Sequence, residues 1–164
     1  MSKSKIVGMM ALIVFAMAIV LVGNVVAGES GKITMREVHY SPTAHVVKVP
    51  DVEGHIIVAY EGKGIAFYEK WGVCLAIEIG TFDILKGEGS GQGYSHYTFP
   101  DGSTITGKWE GKIGGGGATA EGTWTNIKGT GKFQGIQGEG TWKSYNINPG
   151  IQWYADSEIT YTLP

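Results

Sequence analysis

From residue 28 onward the chain alternates with a period of two. In Ser103–Gly111, Ile105 and Trp109 share one side while Thr104, Thr106, Lys108 and Glu110 share the other. In Ile151–Leu163, Ile151, Trp153, Ala155, Ile159 and Tyr161 oppose Gln152, Tyr154, Asp156, Glu158 and Thr160. Trp124 opposes Glu121, Thr123 and Thr125, and Trp142 opposes Glu139, Thr141 and Lys143. No apolar period of 3.6 residues is sustained anywhere in this region. One wet face and one dry face per segment predict antiparallel sheet.

Five more segments read as strands: Ile33–Ser41, His55–Glu61, Ile65–Lys70, Val73–Ile79 and Gly91–Phe99. Turn chemistry separates them at Pro50-Asp51, Glu61-Gly62-Lys63-Gly64, Pro100-Asp101-Gly102 and Asn148-Pro149-Gly150. Eight or nine short strands suggest a sandwich or a barrel. The glycines favour the barrel. Seventeen of the chain's 27 glycines lie between Gly87 and Gly140, many inside apparent strands, where glycine marks bends and bulges in a curling sheet. The expected fold is an all-β, eight-stranded antiparallel β-barrel, with Gly114–Gly117 as a flexible connection.

The first 27 residues are of another kind. Lys3 and Lys5 precede an apolar run from Ile6 to Val22, and Val25-Val26-Ala27 ends it with a small residue before Gly28. A basic start, an apolar middle and a small-residue end make a secretory signal peptide. Residues 1–27 are therefore read as an export signal and residues 28–164 as the barrel domain, secreted or periplasmic. The run is close to the shortest membrane span, so a retained N-terminal anchor is the second reading. In either case the barrel lies outside the cytoplasm.

The whole chain of 164 residues carries a net charge of −2, and loss of Lys3 and Lys5 makes the barrel more acidic. That excludes the basic footprint of a nucleic-acid binder. The single cysteine, Cys74, has no intramolecular partner for a disulfide. Gly87-Glu88-Gly89-Ser90-Gly91-Gln92-Gly93 looks like a phosphate loop, but strands flank it and no helix follows. The histidines at 39, 45, 55 and 96 show no ligand spacing and read as ordinary surface or singly bonded residues. No metal and no cofactor is expected.

The aromatics carry more information. Trp109, Trp124, Trp142 and Trp153 all fall on the dry side of their strands, so they either fill the barrel or line a pocket for a flat or hydrophobic molecule. The Val73–Ile79 strand is ambiguous. Val73, Leu75, Ile77 and Ile79 form one face, and Cys74, Ala76 and Glu78 form the other. Pattern alone turns the large aliphatic face inward and leaves Glu78 in water. The opposite choice gives a lumen with a thiol and a carboxylate, and an outer apolar face that needs a partner subunit.

Three segments, in order, resemble the allene oxide cyclase-like barrels, relatives of the dirigent proteins. They are Gly72–Glu78, Gly93-Tyr94-Ser95-His96-Tyr97-Thr98-Phe99, and Gly129-Thr130-Gly131-Lys132-Phe133-Gln134-Gly135-Ile136-Gln137-Gly138. The resemblance implies an eight-stranded barrel with an apolar cavity, assembled as a homo-oligomer such as a trimer. It also implies that Cys74 and Glu78 face the lumen, and that Glu37 is the carboxylate of the first strand. The departures are specific. A cavity tyrosine of the plant cyclases aligns with Trp109, which lacks a hydroxyl, and their water-holding asparagines have no match near Glu37. Allene oxide cyclisation itself is therefore not expected.

Three functions remain open. The first is an exported barrel binding a small hydrophobic molecule, with Cys74, Tyr97, Trp109, Trp124 and Trp142 around it. The second is a cyclase or isomerase in which Glu37 or Glu78 stabilises developing positive charge or moves a proton. The third is a structural, oligomeric barrel with a filled interior.

Overall fold

A computed structural model describes residues 28–164; the segment assigned to export lies outside them. Eight strands run up and down in chain order and close into a single antiparallel barrel. They are β1 (Glu29–Lys48), β2 (His55–Tyr68), β3 (Gly72–Leu85), β4 (Glu88–Thr98), β5 (Thr104–Gly114), β6 (Thr119–Gly129), β7 (Gln137–Asn148) and β8 (Gln152–Leu163). β1 closes the barrel because it is long enough to serve two neighbours. Glu29–Tyr40 pairs with β8, while the stretch from Met35 to Lys48 pairs with β2. Its register shifts between Tyr40 and Thr43, where Pro42 has no N–H for the ladder.

One end is plugged by aromatic packing. The Trp71 ring lies 5.0 Å from Phe133 and 4.7 Å from Tyr161, and Phe99 lies 4.6 Å from Phe133. A short 3₁₀ turn, Gly131–Phe133, tucks Phe133 beneath the barrel, and Ile136 follows it into the same core. This explains the glycine-rich 129–138 segment. Gly131 and Gly135 hold positive φ values of 59° and 79°, a conformation that costs other residues energy. The opposite end is ringed by the β1–β2, β3–β4, β5–β6 and β7–β8 connections and opens into the interior.

The turn at Pro100-Asp101-Gly102 forms as expected, with Gly102 at φ 81° and its N–H donated to the Phe99 carbonyl at 2.9 Å. Gly114 ends β5, and Gly115–Gly117 make the expected link to β6 as a short 3₁₀ turn. The supposed turn at Glu61-Gly62-Lys63-Gly64 does not exist. His55–Glu61 and Ile65–Tyr68 belong to one strand, β2, and Glu69 and Lys70 lie in the turn after it, so nine candidates become eight. Gly62 and Gly64 are there for space. A Cβ on Gly62 would come within 2.7 Å of Trp153 Cη2, and one on Gly64 within 3.0 Å of the His39 ring.

β3 also reverses the reading from pattern alone. Cys74 and Ala76 are buried inside, while Val73, Leu75, Ile77 and Ile79 face outward. The interior of β3 has to be lined by small residues because large rings from other strands cross it. The Trp109 indole lies over Gly80, and Tyr97 packs within the same core.

Candidate functional site

The four tryptophans of the dry face all point inward, and each lies over a glycine of another strand. Trp109 on β5 covers Gly93 and Gly80, Trp124 on β6 covers Gly107, Trp142 on β7 covers Gly111, and Trp153 on β8 covers Gly62. A side chain at any of these glycines would occupy the ring's place. The indoles therefore panel the wall instead of filling the centre. Trp109 and Trp142, two strands apart in a closed ring of eight, meet at 83°, the quarter turn that the wall makes between them. What remains is a cavity of about 480 Å³, within the size range of small-molecule sites.

Two carboxylates enter this cavity from β1 and β3, with β2 between them. Glu37 on β1 is 5% exposed and accepts a hydrogen bond from the Tyr97 hydroxyl at 3.0 Å. Glu78 on β3 accepts one from the Tyr60 hydroxyl. Both phenols are held well above their ordinary pKa, first by burial and then by the neighbouring carboxylates, so they remain O–H donors. Burial, reinforced by Glu37, pushes Glu78 up to about 7, although His39, Tyr60 and Ser95 pull the other way. Glu78 can therefore hold or release a proton near neutrality.

His39 is the residue that sequence reading missed. Period-two alternation puts it on the side of Met35 and Glu37, and that was the available signal. Its side chain is fully buried, stacked on Trp153 with ring centroids 5.2 Å apart and planes 6° apart. Nε2 lies 3.0 Å from Glu37 Oε2 but off the direction of a hydrogen bond. Burial of the ring lowers its pKa, yet Glu37 and then Glu78 outweigh that and hold it above the usual value. Glu37, His39 and Glu78 each place a donor atom within 4.8 Å of the others, a set that a divalent cation could bridge.

The remaining candidates are divided by depth. Tyr97, Trp109, Trp124 and Trp142 line the cavity together with Glu37 and Glu78. Cys74 points inward but lies in the packed core beside Ala66 and away from the cavity lining. Burial, followed by the nearby Glu37 charge, pushes its thiol up to about 12, so it is no nucleophile at neutral pH. Tyr60, Phe82 and Trp153 also line the cavity. The indole N–H groups of Trp109 and Trp124 are buried without a partner among the described residues.

Among solved structures, this barrel is similar to that of the pterocarpan synthase dirigent protein GePTS1. The TM-score is 0.52 at 13% identity, over 84% of this chain and 86% of that one. The fold is that of a dirigent barrel. A second pterocarpan synthase dirigent protein, PsPTS1, gives a TM-score of 0.47 at 15% identity, over 84% of this chain and 96% of its own. No family model matches the chain, and no curated protein matches its sequence.

Proposed function

We propose that this protein is an exported barrel that binds a small, largely apolar molecule in its lumen. The observation that carries the reading is the cavity of about 480 Å³, left open because glycines let the indoles lie against the wall. A structural barrel would have used those rings to fill its centre. The plug of Trp71, Phe99, Phe133 and Tyr161 leaves the opposite rim for entry. The test is quenching or enhancement of tryptophan fluorescence by neutral single-ring and two-ring aromatics. Val58, on the cavity wall between β1 and β3, supplies the control. Val58→Trp should obstruct the lumen and abolish the response. An unchanged response in that variant sinks the lumenal assignment.

A second reading, cyclisation or isomerisation in the same lumen, is favoured by Glu78. A buried carboxyl titrating near 7 and aligned by Tyr60 can donate or accept a proton beside a shaped apolar wall. Assembly into a homo-oligomer is part of the proposal. Val38, Ile65, Phe67, Val73, Leu75, Ile77 and Ile79 form an exposed apolar face over β1–β3, and a second copy of the chain is its proposed occupant.

A further inference from the structure

We propose that the ligand of this lumen is an organic cation, an amine or quaternary ammonium group carried on a small apolar body. The inference rests on the lumenal-binding reading and specifies its substrate class. The first support is charge. Among the described residues, the cavity lining includes two carboxylates, Glu37 and Glu78, and neither a lysine nor an arginine. The nearest cationic group is His39, which is not part of the lining but stacks on Trp153 and stands 3.0 Å from Glu37. That leaves Glu78 as the carboxylate a ligand cation would meet, while an anionic ligand would find no cationic side chain on the lining.

The second support is the kind of surface around those carboxylates. Of the indoles laid over glycines, Trp142 and Trp153 stay partly exposed, while Trp109 and Trp124, 4% and 5% exposed, are covered by neighbouring rings. Ring faces carry the negative lobe of the aromatic quadrupole, which attracts a cation best where water is excluded. Tyr60, which holds Glu78, sits within this ring cluster. Its centroid lies 5.6 Å from Trp153, 6.0 Å from Phe82 and 6.5 Å from Trp109, and Trp142 lies 5.9 Å beyond Trp109. An aromatic enclosure with carboxylates on its wall is an arrangement suited to a poorly hydrated organic cation.

The third support is how the carboxylates are held. Tyr97 and Tyr60 each spend their hydroxyl on one carboxylate and fix its orientation before any ligand arrives. Each carboxylate keeps further lone pairs for a ligand. A purely apolar guest would leave those remaining lone pairs without a partner, which costs free energy. A cationic guest satisfies them.

The test uses matched probes of one shape: phenyltrimethylammonium, its neutral carbon isostere tert-butylbenzene, and the anion benzenesulfonate. The protein is first dialysed against EDTA to clear Glu37, His39 and Glu78 of metal. Binding is read by tryptophan fluorescence and calorimetry. The expected result is that phenyltrimethylammonium binds at least about tenfold more tightly than tert-butylbenzene, equivalent to 1.4 kcal/mol, and that benzenesulfonate does not bind. Glu78→Gln should narrow the gap between cation and isostere. Equal affinity for the two isosteres, or preference for the anion, overturns the cation assignment and leaves lumenal binding standing. Failure of all three to bind overturns both readings.

Discussion

The ring of Trp109 occupies the space into which a side chain at Gly80 would project. The two residues belong to β5 and β3, with β4 between them, so the indole reaches across a whole strand of the wall. The cavity depends on this relationship. Gly80→Ala should force the indole inward, costing about 1–3 kcal/mol through overpacking and weakening ligand binding. Denaturant unfolding and a fluorescence titration of the folded variant measure both. Wild-type stability with wild-type affinity would show that the contact is not needed.

The pH dependence of stability has a definite sign. Glu78 titrates near 7 in the fold, above the ordinary glutamate value. The native state therefore keeps its proton between about pH 4.5 and 7, where the unfolded chain has lost it, and stability falls as pH rises through that window. Glu37 and His39 face it from β1, Tyr60 from β2 and Ser95 from β4. His39, also raised, is stabilising while charged and loses that contribution as pH climbs. Glu78→Gln should flatten the profile between pH 5 and 8 in denaturant titrations. A profile as steep as that of the wild type would mean that Glu78 is not the titrating group.

The plug can be tested at Phe133, which is 1% exposed and packed against Trp71 and Phe99. Phe133→Ala should cost about 3–5 kcal/mol, as for other deletions of a buried phenylalanine. A loss below about 1 kcal/mol would fall outside that range and count against a load-carrying plug.

The apolar outer face predicts association. Leu75 is 65% exposed and Ile79 56%, on a strand whose inner face is buried. Light scattering after size exclusion should find the wild type larger than a monomer. Leu75→Lys with Ile79→Lys should give a folded monomer. A monomeric wild type would remove the proposed partner.

Export predicts a new N-terminus. Protein recovered from the periplasm or medium of an expressing cell should begin at Gly28, as intact mass will show. Retention of the full-length chain in the membrane fraction would favour the anchor.

Period-two alternation in Ser103–Gly111 and Ile151–Leu163 was enough to recognise β5 and β8, because a strand with one wet face must alternate. Pro100-Asp101-Gly102 marked its hairpin because glycine alone adopts the required φ without strain. The inward direction of the four tryptophans was equally legible. Other features were not, since they depend on residues far apart in sequence. Gly62 and Gly64 look like a turn until Trp153 and His39 are seen to need the space above them. The aliphatic face of β3 looks like core until the rings from β4 and β5 claim the interior. His39 looked ordinary because alternation sets it beside Glu37 but nothing local brings the pair to Glu78 on β3. Alternation is a local consequence of strand geometry and can be read along the chain. Which face goes inside is decided by the volume left when eight strands close, and only the closed barrel determines that volume.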